Sequence, residues 1–274
     1  MRFKDFTLPI YQRTCIMGIL NVTPDSFSAG AVYKDTASAL KRAEDMVSLG
    51  ADIIDVGGES SRPGAAAVEE KEEIERVVPV IEAIKRSLKV PVSIDTCKSE
   101  VARSALKAGA DIVNDITALR GDEGMASVAA EFNAAVILMH MKGTPRTMQE
   151  APVYDNVVEE IYSYLSESAS LAEGAGVAPE KIIIDPGIGF GKTLHHNIEI
   201  LRALKRFREL KKPVLVGTSR KSFIGALTGK GVDERIYGDL AIFTLAIRNG
   251  ADILRVHDVG EACDVARVTD RIVR

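Results

Sequence analysis

The chain has 274 residues, 46% of them hydrophobic and 27% charged, which suits a globular protein with a sizeable core. Its 35 basic and 39 acidic residues leave a net charge of −4, which argues against a general role on nucleic acid or at a membrane surface. Cys15, Cys97 and Cys263 make neither a disulfide framework nor a zinc spacing, and no apolar run forms a signal core or spans a bilayer, so a reduced cytoplasmic protein is expected.

In chain order, the residues up to Ile10 precede the first regular unit. Thr14–Leu20 reads as a buried strand ending at Asn21. Thr36–Leu49 has the apolar spacing of an amphipathic helix, and Ile53–Val56 is a second strand. A loop rich in Gly, Ser and Pro leads to a charged helix over Glu69–Leu88. The spacing then predicts a strand at Val92–Asp95, a helix at Ser99–Ala108, a strand at Ile112–Asp115, a helix at Glu123–Phe132 and a strand at Ala135–His140.

The helix Asn156–Ala172 is followed by Gly174 and Gly176, which mark its end. The strand Lys181–Asp185 runs into the loop Pro186–Gly191, and a helix over Asn197–Phe207 leads to a strand at Val214–Gly217. Helices at Ser222–Leu227 and Tyr237–Arg248, a strand at Ile253–Val256 and a helix over Glu261–Ile272 complete the chain. The strands are short continuous apolar runs, so both faces are covered, as in a parallel sheet with helices outside. Eight such units without a linker predict a single (β/α)8 TIM barrel over residues 1–274, with the short N-terminal extension as a plug or hairpin over its lower end.

The tetrapeptide Gly-Ala-Asp-Ile occurs at Gly50, Gly109 and Gly250, each time opening a strand. Five residues after each glycine stand Asp55, Asn114 and Arg255, which therefore face the same way. Asn21, Asp55, Asp95, Asn114, His140, Asp185, Ser219 and Arg255 all stand at strand ends, on the face where this fold builds its sites. A strand leaving the core turns polar anyway, but this rim combines acids, amides, an arginine and a histidine.

Asp95, Asn114 and Asp185 offer the donors and acceptors that a flat heterocycle needs. Ser219-Arg220-Lys221-Ser222, Arg255 and His257 follow strands seven and eight, where phosphate sites are frequent, and Arg62 stands in the loop after strand two. Gly191-Lys192-Thr193 completes no P-loop, and Gly187 and Gly189 complete no dinucleotide fingerprint. His195 and His196, at the start of a helix, are read as solvated. No nucleophile–base–orienter triad is visible.

Gly18-Ile19-Leu20-Asn21-Val22-Thr23-Pro24-Asp25-Ser26-Phe27-Ser28 and Asp55-Val56-Gly57-Gly58-Glu59-Ser60-Ser61-Arg62-Pro63-Gly64 are two long motifs. Asp185-Pro186-Gly187-Ile188-Gly189-Phe190-Gly191-Lys192, Ser219-Arg220-Lys221-Ser222-Phe223 and Arg255-Val256-His257-Asp258-Val259 follow in order. With these motifs the chain closely resembles the dihydropteroate synthase family over essentially its whole length. The resemblance implies condensation of a dihydropterin bearing a CH₂–diphosphate with 4-aminobenzoate, assisted by Mg²⁺, in a homodimer.

It also implies that Asp95, Asn114, Asp185 and Lys221 hold the pterin, and that Asn21, Arg62, Arg255 and His257 bind the diphosphate, with Asn21 also on the metal. Phe27, Ser61, Pro63, Lys221 and Ser222 would shape the aminobenzoate pocket. Lys221, Asp95, Arg255 and His257 are expected to carry catalysis. Two positions depart from the family pattern: Ala29-Gly30-Ala31 where the family usually has Asp-Gly-Gly, and Ser61 where it usually has Thr. The first leaves open a catalytically weak or inactive pterin-binding paralogue. A barrel transferring methyl groups from a methylfolate to a corrinoid is the other alternative, and the Asn21–Ser28 and Ser219–Ser222 motifs speak against it.

Overall fold

Strand β1 (Cys15–Asn21) is followed by α1 (Thr36–Ser48), β2 (Ile53–Gly57), α2 (Glu70–Ser87), β3 (Val92–Asp95), α3 (Ser99–Lys107), β4 (Ile112–Asp115), α4 (Met125–Glu131), β5 (Ala135–Met139) and α5 (Val157–Gly174). The chain continues through β6 (Ile182–Asp185), α6 (Leu194–Arg202), α7 (Leu204–Phe207), β7 (Leu215–Val216), α8 (Ser222–Thr228), α9 (Ile236–Arg248), β8 (Ile253–Val256) and α10 (Val259–Val273). The structure is a computed structural model and describes residues 1–3, 5–22, 36–60, 64 and 67–274. No described helix is long and apolar enough to cross a membrane.

The strands pair in parallel in the order β6-β5-β4-β3-β2-β1-β8-β7. A further parallel bridge between Ile184 and Val214 joins β6 to β7 and closes the ring. Side chains alternate between two cores. Met17, Ile53, Ile112, Ile137, Ile183, Leu215 and Ile253 point inward and pack with Phe3, Leu8 and Ile10. Ile16, Ile54, Val113, Val136, Ile182, Val214 and Leu254 point outward under the helices. The N-terminal residues therefore seal the lower end of the barrel, and an antiparallel bridge between Arg2 and Thr7 folds them back on themselves.

The three Gly-Ala-Asp-Ile copies share one geometry. Gly50, Gly109 and Gly250 have φ of 107°, 108° and 107°, left-handed values that end the preceding helix. The following alanine amides reach back to Met46, Ala105 and Ala246 carbonyls in the same way. Each aspartate then accepts from the neighbouring strand: Asp52 from Ile16 N at 2.9 Å, Asp111 from Val92 N at 2.9 Å and Asp252 from Val214 N at 3.1 Å. Arg13, Lys85 and Arg208 neutralise these three carboxylates. The repeat thus pins register at the lower rim and delivers the residue three positions later to the upper rim.

Most expected elements differ by one to three residues at their ends, and the helix expected over Asn197–Phe207 is divided into α6 and α7. The helix expected from Asn197 starts at Leu194, because Thr193 caps it: its hydroxyl accepts from His196 N while His196 Nδ1 accepts from Thr193 N, both at 3.2 Å. Strand seven keeps only Leu215–Val216 in the ladder, with Gly217 beyond it. Pro79 lies inside α2, which continues through it as the apolar spacing predicts.

Candidate active site

The equal spacing of Asp55, Asn114 and Arg255 from their glycines brings the three together. Asp55 Oδ2 accepts from Arg255 Nε at 2.6 Å and from Asn114 Nδ2 at 3.2 Å. Arg255 Nη2 also donates to Asp95 Oδ2 at 2.5 Å. The guanidinium is thus clamped between two carboxylates, a geometry that holds it charged. Asp55 is fully buried, whereas the Asp95 side chain is 12% exposed at the mouth. Burial pushes the Asp95 carboxyl up to about 7; Arg255 opposes this and the Asp55 charge adds to it.

Asp185 faces the same cavity from β6, and Gly187 N donates to its Oδ1 at 2.7 Å. Burial raises its carboxyl too, against the pull of Lys221. The Lys221 ammonium donates to Ile188 O and lies 4.5 Å over the Phe190 ring. Burial lowers the Lys221 ammonium to about 8, with Asp185 opposing the fall. A positive φ of 86° at Gly189 brings the backbone under the Lys221 stem, where an added Cβ would sit 3.0 Å from Cδ.

His257 follows β8, and its Nδ1 and N lie 3.1 and 3.3 Å from Ser219 Oγ. Arg220, beside Lys221 in sequence, turns away and pairs with Asp258 at 2.6 Å. That pair ties the loop after β7 to the start of α10. Ser222 is exposed at the first turn of α8. Asn21 ends β1, and Gly57 opposite leaves a space whose Cβ position would be 3.5 Å from Asn21 Oδ1 and 3.7 Å from Asp95 Oδ2. Phe27, Ser61, Arg62 and Pro63, like Ala29, lie outside the described residues.

His140 was expected on the rim, but its place differs. It lies just past β5 on the outward-facing parity, behind the site. There Lys192, which is fully buried, approaches His140 Nδ1 at 2.9 Å, His140 O at 3.1 Å and Phe190 O at 2.9 Å. Burial, and then the Lys192 charge, lowers the imidazole to about 2. These two residues anchor the Gly187–Gly191 loop from outside the cavity. Sequence reasoning gave Lys192 no role, although it stands in the incomplete P-loop and ends the Asp185–Lys192 motif. Asp55 was seen on the rim but left out of the candidate set. Its signal was the shared register with Asn114 and Arg255.

Among the described residues the upper end of the barrel therefore gathers three carboxylates, two amides and two cations. Such a set can hold a polar heterocycle edge-on and an anion beside it. Among the described residues no group of three or more His, Cys, Asp or Glu side chains could hold a metal ion.

Comparison with known proteins agrees. The family described as "Pterin binding enzyme" matches residues 17–257. The dihydropteroate synthase of Escherichia coli (strain K12) is 51% identical over 255 residues, 93% of this chain and 90% of that protein. The Yersinia pestis dihydropteroate synthase, solved in complex with a sulfonamide drug, superposes with a TM-score of 0.94 at 41% identity, covering 99% of this chain and 98% of that one. The Xanthomonas albilineans enzyme in complex with 7,8-dihydropteroate gives a TM-score of 0.86 at 42% identity, over 95% and 94%. By sequence motifs, barrel and upper-rim residues alike, the chain belongs to the pterin-binding enzymes and, within them, to the dihydropteroate synthases.

Proposed function

We infer that the barrel's upper end joins the methylene carbon of a 6-hydroxymethyl-7,8-dihydropterin diphosphate to the amine of 4-aminobenzoate, giving 7,8-dihydropteroate and diphosphate. The observation that carries this reading is the Asp55–Arg255–Asp95 clamp with Asn114 on its side, all within 2.5–3.2 Å. Asp95, Asn114, Asp185 and Lys221 would take the pterin edge. Arg255 and His257, with Asn21 and Arg62, would take the diphosphate. Lys221 and Ser222, with Phe27, Ser61 and Pro63, would line the aminobenzoate pocket.

The attacking arylamine is neutral near pH 7, so the step needs no strong base. The difficult part is the departure of diphosphate. The cations Arg255 and Arg62, with the His257 imidazole beside them, would stabilise the charge that grows on its leaving oxygen. The pterin ring delocalises positive charge left on the methylene, and the Asp95 and Asp185 carboxylates favour that charge. The displacement is therefore dissociative, with the C–O bond breaking ahead of C–N bond formation. The amine loses its proton once the new bond forms.

Mg²⁺ fits this chemistry. It keeps most of its ligands as water and phosphate oxygens and takes only one or two from protein. Asn21 offers one amide oxygen, and the missing side chain of Gly57 leaves room beside it. The ion would add charge neutralisation on the diphosphate. The same reading includes a homodimer in the cytoplasm. Val268 and Ile272 on α10 and Leu245 on the adjacent α9 are exposed, and such a strip suits a second copy.

The test is to mix purified protein, Mg²⁺ and both substrates and to measure diphosphate and dihydropteroate. Arg255→Ala is expected to lower kcat by about 10²-fold or more, while a pterin lacking the diphosphate still binds. No product above the protein-free rate would sink the reading.

A further inference from the structure

We propose that Asp55 is the positioning residue for Arg255: it keeps the guanidinium charged and aimed at the diphosphate once the pterin has taken Asp95. The inference rests on the assignment of Arg255 to the diphosphate made above. Asp55 Oδ2 lies 2.6 Å from both Nε and Nη2 of Arg255, whereas Asp95 Oδ2 holds Nη2 alone, at 2.5 Å. The two acids also differ in reach. Asp95 is open to the mouth, but Asp55 has no exposed side-chain surface, so no substrate can touch it.

A pterin binding Asp95 competes for the oxygen that Arg255 Nη2 now holds. The contacts to Asp55 are out of its reach. A guanidinium held by Asp55 alone keeps its charge and its place in the barrel, and the Nη2 proton that faced Asp95 is released for a new acceptor. The nearest new acceptor is then the diphosphate that arrives with the pterin. Asn114 Nδ2 shares the same Asp55 oxygen, so one buried carboxylate fixes a pterin residue and a diphosphate residue together.

The second oxygen of Asp55 strengthens the point. Asp55 Oδ1 is buried and has no hydrogen-bond partner among the described residues. The aspartates of the lower rim each accept both a backbone amide and a cation. Among the described residues Asp55 accepts from no backbone amide. A buried carboxylate bonded this sparsely is costly and is held mainly by the opposite charge. Its charge is directed at Arg255, and the two residues act as a unit.

Calorimetric titration tests this with two probes: inorganic diphosphate with Mg²⁺, and 6-hydroxymethyl-7,8-dihydropterin, which carries no phosphate. Asp55→Asn should weaken diphosphate binding by about tenfold or more, as expected for a lost charged hydrogen bond. The KM for 4-aminobenzoate should stay within about threefold, and hydroxymethylpterin affinity should fall less than diphosphate affinity, since an amide oxygen at position 55 can still accept from Asn114 while the charge facing Arg255 is gone; kcat falls with the diphosphate affinity. The double variant with Arg255→Ala should bind diphosphate no more weakly than Arg255→Ala alone, because the two substitutions break one unit.

Unchanged diphosphate affinity in Asp55→Asn, or additive losses in the double variant, would overturn the proposal. Unchanged diphosphate affinity in Arg255→Ala would instead overturn the diphosphate assignment beneath it. A crystal structure of the wild-type protein with pterin and diphosphate needs no variant. It should keep Arg255 Nε on Asp55 with Asp95 turned to the pterin, and an arginine detached from Asp55 would end the idea.

Discussion

At the scale of single residues, the site is governed by what burial does to charge. Asp95 and Lys221 face one cavity with ionisations moved toward each other, to about 7 and about 8. Under the proposed assignment the pterin needs Asp95 as a carboxylate acceptor and Lys221 as an ammonium donor. Asp95 gains a proton as pH falls through about 7, and Lys221 loses one as pH rises through about 8. Hydroxymethylpterin affinity should therefore follow a bell whose top lies between these values, approaching about a tenfold loss per pH unit on each side. Lys221→Arg should remove the alkaline limb and leave the acid limb, since a guanidinium stays charged throughout. A flat titration from weakly acidic to weakly alkaline pH would show that these ionisations do not control binding. Asp95, Asn114 and Asp185 were legible because each ends an apolar run with a group that a core cannot leave unpaired. His140 was misplaced because it also ends such a run, but one residue out of phase, and phase is set by where the ladder begins.

At the scale of elements, helices and strands were readable from periodicity, and the misreadings fall at their ends. A cap such as Thr193 with His196 is a local contact of a few atoms that leaves no apolar period. The Gly187–Gly191 loop shows the other limit. Its glycines complete no nucleotide-binding pattern; Gly187 and Gly191 approach the chain after β5, and Gly189 lies against the Lys221 stem. Gly187 has φ of 68°, and a Cβ there would lie 1.9 Å from His140 O. That approach lets Gly187 N hold Asp185 while Lys192 ties the loop to His140 from behind. Gly187→Ala is expected to lower unfolding free energy by about 3 kcal/mol or more, through clash and left-handed strain together. Urea unfolding monitored by circular dichroism measures it, and a loss under about 1 kcal/mol would mean the loop yields more readily than its contacts imply.

At the scale of the molecule, the barrel was legible from eight covered strands, and the threefold Gly-Ala-Asp-Ile repeat announced the register that joins Asp55, Asn114 and Arg255. Assembly between copies was not legible, because an exposed apolar residue on a helix reads the same as a buried one until the fold shows which face is outward. Ile272 and Val268 are such residues, at 78% and 63% exposure on α10. If they meet a second copy, the protein sediments as a dimer, and the pair Val268→Glu, Ile272→Glu shifts it to monomer while each chain keeps its fold. A wild-type protein that sediments as a monomer would remove the homodimer from the reading.

The seal made by Phe3, Leu8 and Ile10 closes the lower end of the barrel, so the proposed site is entered from above. Whatever rests on Asp185 and Asn114 lies beneath whatever binds near Lys221 and Ser222. Traffic through such a chamber follows the rule of a stack, in which the first to enter is the last able to leave. Under the proposed placement the pterin must arrive before the aminobenzoate. An aminobenzoate-like molecule that arrives early stoppers the chamber instead of being consumed, and the joined product withdraws in one piece along the path its halves took separately.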